Sequence, residues 1–176
     1  MKCVAVIGSS GAGKSRLSLA LSRILDIPII HLDAHYWNPG WVGTPRPEWT
    51  VRQRRLLEPE RWIADGNYGS TLELRLAAAD TIVFLDFPRW LCTWRVLKRV
   101  LNYRRGTRPD IAAGCDERVD WDFIKYVWTF PEKHRPRVEQ KLYELEGKQV
   151  YRLHTPAEVE RFLREVELEQ PPEDNL

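Results

Sequence analysis

At 176 residues, 43% of them hydrophobic, the chain is long enough for one well-buried core and too short for two comfortable domains. No apolar run approaches the ~20 residues of a membrane span, no signal-peptide pattern precedes the first apolar run, and the three scattered cysteines have neither disulfide-framework nor zinc-ligand spacing. The net charge of +2 conceals seven cations and no acid between Arg89 and Arg108, against seven acids and two arginines between Ala157 and Leu176, so the basic middle calls for an anionic partner or for solvation. The expectation is a complete cytoplasmic protein, one domain over residues 1–168 with a disordered tail at 169–176.

In chain order, the apolar run Cys3-Val4-Ala5-Val6-Ile7 reads as a strand. It leads into Gly8-Ser9-Ser10-Gly11-Ala12-Gly13-Lys14-Ser15, a complete G-x-x-x-x-G-K-[ST] phosphate loop. The glycines let backbone N–H groups wrap an anion at the positive end of the following helix. Lys14 is expected to reach the β- and γ-phosphates of a nucleoside triphosphate and Ser15 to hold Mg²⁺. Leu17, Ala20, Leu21, Ile24 and Leu25 recur at helical spacing, so the loop opens an amphipathic helix.

Pro28 to Leu32 is a short strand ending at Asp33. A Trp-, Pro- and Gly-rich loop follows over 34–47, then a helix over 48–57, and a third strand over 61–65 that turns at Gly66. Ser70-x-x-Glu73 reads as a capping box opening a helix to Ala79, and Thr81 to Leu85 is a fourth strand ending at Asp86. From Pro88, the residues Trp90, Leu91, Trp94, Leu97 and Leu101 form one apolar helical stripe with Arg95, Lys98 and Arg99 largely off it. Residues 104–119 break the period and read as a mobile flap or lid between two helices. Asp120 caps a helix that stops near Pro131, a further helix covers 134–145, and a fifth strand covers 149–153. Thr155-Pro156-Ala157-Glu158 combines a capping box with a proline at the first helical position, and the last helix buries Val159, Phe162, Leu163 and Val166.

This alternation predicts an α/β protein, a three-layer α/β/α P-loop NTPase with a five-stranded parallel sheet and right-handed crossovers. Ligands then lie beyond the carboxyl ends of the strands, on the rim that carries the phosphate loop, Asp33, Asp65 and Asp86.

The loop, the five-strand plan, Asp65-Gly66 and the Arg-rich flap together resemble the nucleoside monophosphate kinase and shikimate kinase group. That resemblance implies strand order 2-3-1-4-5 and a helical lid over ATP. More narrowly, His31-Leu32-Asp33, Trp37-x-Pro39-Gly40-Trp41, Asp65-Gly66-Asn67-Tyr68, Phe84-Leu85-Asp86-x-Pro88-Arg89 and Arg108-Pro109-Asp110 resemble the adenylate-kinase-like topology modulation proteins (FlaR-type), over about residues 3 to 165. Asn67-Tyr68-Gly69 stands where adenylate kinase has a proline and an arginine after its Asp-Gly, which sets the chain apart at the acceptor-phosphate grip.

The resemblance places Asp65 beside the phosphate loop as the acid that orients Mg²⁺ through water, while Asp86 fits the same strand-then-Asp pattern. Asp33 occupies the place where a shikimate kinase has a carboxylate on the acceptor hydroxyl, against a plain loop cap; His31 reads as a satisfied core histidine. Of the cations, Arg99 and Arg104 are the catalytic candidates and Arg108 a nucleotide contact, with Arg105, Arg135 and Arg137 behind them and a solvated basic face as the alternative for several. Trp37, Trp41 and Trp49, interleaved with arginines, either stack on a base or sugar or pack internally. Thr155-Pro156 matches the place where related kinases hold adenine, mostly through backbone.

The expected function is an ATP- and Mg²⁺-dependent phosphotransferase acting on a small-molecule or nucleotide acceptor, as a monomer or homodimer and without a membrane partner. The alternative is a nucleotide-responsive nucleic-acid-binding protein that affects DNA topology. Against it, the chain shows no helix-turn-helix, zinc-finger or RNA-binding signature, and its pI is about 8.5. A signalling GTPase is set aside because Asn-Lys-x-Asp is absent.

Overall fold

The computed structural model describes residues 1–102, 111–115 and 119–170. Five strands form one parallel sheet: β1 (Cys3–Gly8), β2 (Ile29–His31), β5 (Trp62–Asp65), β6 (Thr81–Leu85) and β7 (Gln149–Leu153), in the order β2-β5-β1-β6-β7. Among themselves these five run 2-3-1-4-5. β1 lies between β5 and β6, with Val6 opposite Asp65 on one side and Gly8 opposite Leu85 on the other.

Alternation along β1 feeds two separate cores. Val4 and Val6 join Ile63, Val83 and Leu85 beneath α1 (Lys14–Leu25), α5 (Arg89–Asn102), α6 (Trp121–Lys133) and α8 (Pro156–Leu168). Ala5 and Ile7 join Trp62, Ala64, Ile82 and Phe84 beneath α4 (Leu72–Ala78) and α7 (Arg135–Tyr143). The central strands β5, β1 and β6 are therefore buried along nearly their whole length, as a parallel sheet covered on both sides requires, while the edge strands β2 and β7 are more exposed. No described helix is long and apolar enough to cross a membrane.

Several expectations change. The stretch from Leu32 to Pro47 is not a plain loop. α2 (Leu32–Tyr36) starts directly after β2 and takes Asp33 into its first turn, and β3 (Trp37–Asn38) and β4 (Val42–Gly43) form an antiparallel hairpin. Its tip, Pro39-Gly40-Trp41, turns with positive φ at both Gly40 and Trp41. Part of the flap docks here: Gly40 N donates to Gly114 O at 2.9 Å, and Cys115 Sγ to Asn38 O at 3.3 Å. Residues 103–110 and 116–118 of that region, and 171–176 of the expected tail, lie outside the described residues.

α3 (Arg46–Leu56) starts two residues early because Pro47 suits a first helical turn. Ser70 does not form a capping box, since Gly69–Thr71 is a 3₁₀ turn that moves the N-cap of α4 to Thr71. α6 passes Pro131 and ends at Lys133, because a proline near a helix end removes one N–H while His134 N still bonds Phe130 O at 2.9 Å. The caps at Asp120 and Thr155 form as read, accepting from Phe123 N at 3.0 Å and Glu158 N at 3.2 Å.

The largest change is the facing of α5. Its buried residues are Cys92, Val96 and Val100, while Trp90, Trp94, Leu97 and Leu101 are exposed. Of the apolar stripe only Leu91 packs partly against the core and the rest points outward, while the smaller residues at i, i+4 and i+8 make the core contact. Val96→Asp is therefore expected to lower the unfolding free energy of the dilute single chain by at least about 2 kcal/mol more than Leu97→Asp, read by urea denaturation, since within one chain only the first buries an unpaired carboxylate.

Candidate functional site

The phosphate loop leaves the carboxyl end of β1 and turns straight into α1. Its first residues are wedged: a Cβ on Gly8 (φ +139) would stand 2.4 Å from Leu85 O, and one on Gly11 (φ +83) would stand 2.2 Å from Cys92 O. Glycine is required at both positions by space as well as by φ. Gly13 is the N-cap of α1 and no side chain caps the helix, so the first-turn N–H groups face outward as an anion site. Lys14 Nζ folds back over the loop and donates to Gly8 O and Ser9 O, each at 3.1 Å. Burial pulls its pKa below the usual lysine value, opposed by the charges of Asp33 and Asp65, so the ammonium lies in the field of both carboxylates.

The three rim aspartates have different surroundings. Asp65, at the end of β5, is buried; Oδ1 lies 3.0 Å from His31 Nδ1, and Oδ2 has no hydrogen-bond partner among the described residues. His31 is thus a strand-end partner of Asp65 rather than a core histidine. Asp33 Oδ1 accepts a 2.5 Å hydrogen bond from Tyr68 Oη. Burial first, and then the Asp33 charge, push the Tyr68 phenol well above its ordinary value, so it remains a donor. Asp86 is neutralised: Arg152 reaches its Oδ2 with Nε at 3.0 Å and Nη2 at 2.6 Å, and Arg135 and His154 approach to 3.6 Å.

Two cavities flank the loop. One of about 330 Å³ touches Ser10 and has aromatic walls of Trp37, Trp41, Tyr68, Phe123 and Tyr126; Asp33, Asn67, Arg99 and Asp120 supply its polar groups. The other, about 200 Å³, lies against Ala12 and Gly13 and is bounded by Arg16, Arg95, Phe87 and Pro156. Of the residues read from the sequence, Ser10, Asp33, Arg99, Trp37 and Trp41 meet in the first cavity and Ala12, Gly13 and Pro156 in the second, while Lys14 and Asp65 are placed by the loop and the rim.

Trp49 is buried and donates from Nε1 to Thr71 Oγ1 at 3.2 Å, so it packs rather than lines the site. Arg135 is held by Asp86. Arg104, Arg105 and Arg108 lie outside the described residues. Among the described residues no group of three or more His, Cys, Asp or Glu is arranged to hold a metal ion.

Sequence reasoning passed over three contributors. Arg95 donates from Nη1 to Ala12 O at 3.2 Å and lies over the Phe87 ring at 5.4 Å. Its signal was the i, i+4 spacing with Arg99, which puts both on the inner face of α5. Tyr68 belongs to a quoted motif but was given no role. Arg75 is fully buried, its Nη2 donates to Tyr68 O at 3.3 Å, and burial pushes its pKa down to about 10; nothing in a helix of mixed pattern marks it.

No protein-family model and no curated protein sequence matches the chain. Solved structures do. A shikimate kinase from Bacteroides thetaiotaomicron aligns with a TM-score of 0.56 at 18% identity, covering 94% of this chain and 96% of that one. A deoxyadenosine kinase from M. mycoides with bound dATP gives 0.54 at 12% identity, covering 94% and 99%. A gluconokinase from Sinorhizobium meliloti gives 0.51 at 16%, covering 95% and 90%. The fold is that of the P-loop kinases.

The buried ammonium of Lys14 yields a signed prediction. Its folded pKa is depressed, so the folded state releases the proton before the unfolded chain does, and stability rises with pH between the depressed value and about 10.4. Lys14→Met is expected to be more stable than the native ligand-free chain at pH 7, with the advantage shrinking toward pH 10 in thermal unfolding. An advantage that grows with pH would contradict a depressed Lys14.

Proposed function

We propose that this protein is an ATP-dependent kinase that phosphorylates a hydroxyl group of a ring-bearing small molecule. One observation carries the reading: the phosphate loop stands between two cavities, one of which holds Asp33 and an aromatic wall. On this reading the cavity at Arg95 and Pro156 takes the phosphoryl donor and the one at Asp33 the acceptor. The kinase neighbours support the same division, and the resemblance to the topology modulation proteins rests on the motif residues alone.

Transfer needs an in-line acceptor and stabilised phosphate charge more than covalent chemistry. The loop N–H groups, with Lys14 redirected from the Gly8 and Ser9 carbonyls, would hold the β- and γ-phosphates. Asp33, oriented by Tyr68, would accept the acceptor's proton as its oxygen bonds to the γ-phosphorus and the bond to the β–γ bridging oxygen breaks, releasing ADP. Arg99, from the same cavity, would face the charge that develops on the transferred group. Ser15 and Asp65 fit Mg²⁺, since Asp65 Oδ2 is buried beside the loop without a hydrogen-bond partner among the described residues. When bound there the ion would neutralise phosphate charge.

Arg99 is the one cation among the described lining residues, against the carboxylates of Asp33 and Asp120. The aromatic walls favour a flat ring, and a nucleoside combines ring and hydroxyl.

The test is ATP consumption with Mg²⁺ against nucleosides, nucleoside monophosphates, sugars, shikimate-like acids and 5′-hydroxyl oligonucleotides. ADP release stimulated by a nucleoside is expected; ATP binding with no stimulation by any acceptor would overturn the kinase reading. In the active assay, Lys14→Ala is expected to abolish turnover. Asp33→Asn should lower kcat by about 100-fold or more while ATP affinity stays within a few fold, as loss of a general base requires.

A further inference from the structure

The outward face of α5 has no partner within the described chain. Trp90 is 62% exposed, Trp94 55%, Leu97 40% and Leu101 65%, and Trp128 of α6, 47% exposed, flanks them with the Arg89 guanidinium 5.5 Å from its ring centroid. Three tryptophans and two leucines at these exposures present on the order of 600 Å² of apolar surface, at the upper end of what a monomer normally shows. Two such faces together bury about 1,200 Å², the lower bound for a specific interface.

The spacing 90, 94, 97, 101 alternates four and three, which is the a/d seam of a pair of helices. It is also symmetric about its middle. If a second α5 runs antiparallel across a two-fold axis at the level of Arg95 and Val96, position 90 meets 101 and position 94 meets 97. Each tryptophan then faces a leucine, large against small. A parallel pair would instead set tryptophan against tryptophan and leucine against leucine, leaving large and small positions unmatched.

We propose that the protein forms a symmetric dimer in which the α5 helices of two copies pair antiparallel through Trp90, Trp94, Leu97 and Leu101. The occupant of this face is a second copy of the chain, because the face complements itself in size and two copies bury the area a specific interface needs. The inference is independent of the catalytic reading, although the seam braces the helix whose inner face carries Arg95 and Arg99.

Sedimentation velocity on the full chain from about 1 to 100 μM tests it. A dimer is expected, and Trp94→Glu and Leu97→Glu, made separately, should each weaken it by at least about 100-fold with the circular dichroism spectrum and cooperative unfolding retained. Orientation is read by disulfide trapping with mass mapping: Trp94→Cys chains mixed with Leu97→Cys chains should cross-link to each other, and neither should cross-link through the new cysteine alone. A wild-type monomer at 100 μM, a dimer indifferent to both glutamates, or self-linking of Leu97→Cys would each overturn the proposal. If one glutamate variant loses its fold, the other and the cysteine pair still decide it.

Discussion

The rest of the structure depends on a steric constraint at the start of the phosphate loop. Gly8 lies against the carbonyl of Leu85 and Gly11 against the carbonyl of Cys92, each closer than any Cβ tolerates. The loop is thereby locked to β6 at one end and to the first turn of α5 at the other. This contact makes β1 the centre of the sheet in a functional sense, since it delivers a backbone anion cradle already braced on two sides. Arg95 completes the brace by bonding the loop's Ala12 carbonyl from α5. Preorganisation of this kind would serve the proposed phosphoryl transfer, a reaction that draws its acceleration from charges held in place beforehand.

Electrostatics then sorts three aspartates along the rim, one in the first turn of α2, one at the end of β5 and one just past β6. Asp86 lies beside β7 and is consumed by Arg152, Arg135 and His154, so its charge is spent within the fold. Asp65 keeps one buried oxygen without a hydrogen-bond partner among the described residues, and Asp33 is aimed by a tyrosine whose phenol cannot ionise at ordinary pH. Both influence the buried Lys14, which neither could do from the Asp86 position. The lysine carries a desolvation cost that an apolar side chain would avoid, a pattern common where stability is surrendered to a binding site.

The strands were legible because a parallel sheet covered on both faces writes near-continuous apolar runs, as in Val4 to Ile7 and Thr81 to Leu85. The phosphate loop was legible because glycine and lysine spacing there answers directly to phosphate geometry. The acceptor wall was only half legible. Trp37 and Trp41 stand out in a motif, but nothing in the sequence marks Phe123 and Tyr126, and only the packing of α6 against α5 brings them to the cavity. The hairpin that carries Trp41 escaped notice because its strands are two residues each, too short for any period. Arg75 escaped because burial of an arginine under a loop depends on the backbone carbonyl of Tyr68, which no side-chain pattern records.

The misreading of α5 has a physical cause that bears on function. A periodicity rule assigns the largest apolar stripe to the core, because burying tryptophan and leucine yields most free energy. Here the core side of α5 must approach the phosphate loop closely, with the Cys92 carbonyl against Gly11, and only small residues such as Cys92 and Val96 allow that approach. The same side must also carry Arg95 and Arg99 to the loop and the cavity. Close approach and phosphate-facing charge thus claim the inner face, and the tryptophans are displaced to the outer one. A helix so divided leaves an apolar stripe open to a partner, which links the geometry of the nucleotide loop to the proposed pairing of two copies.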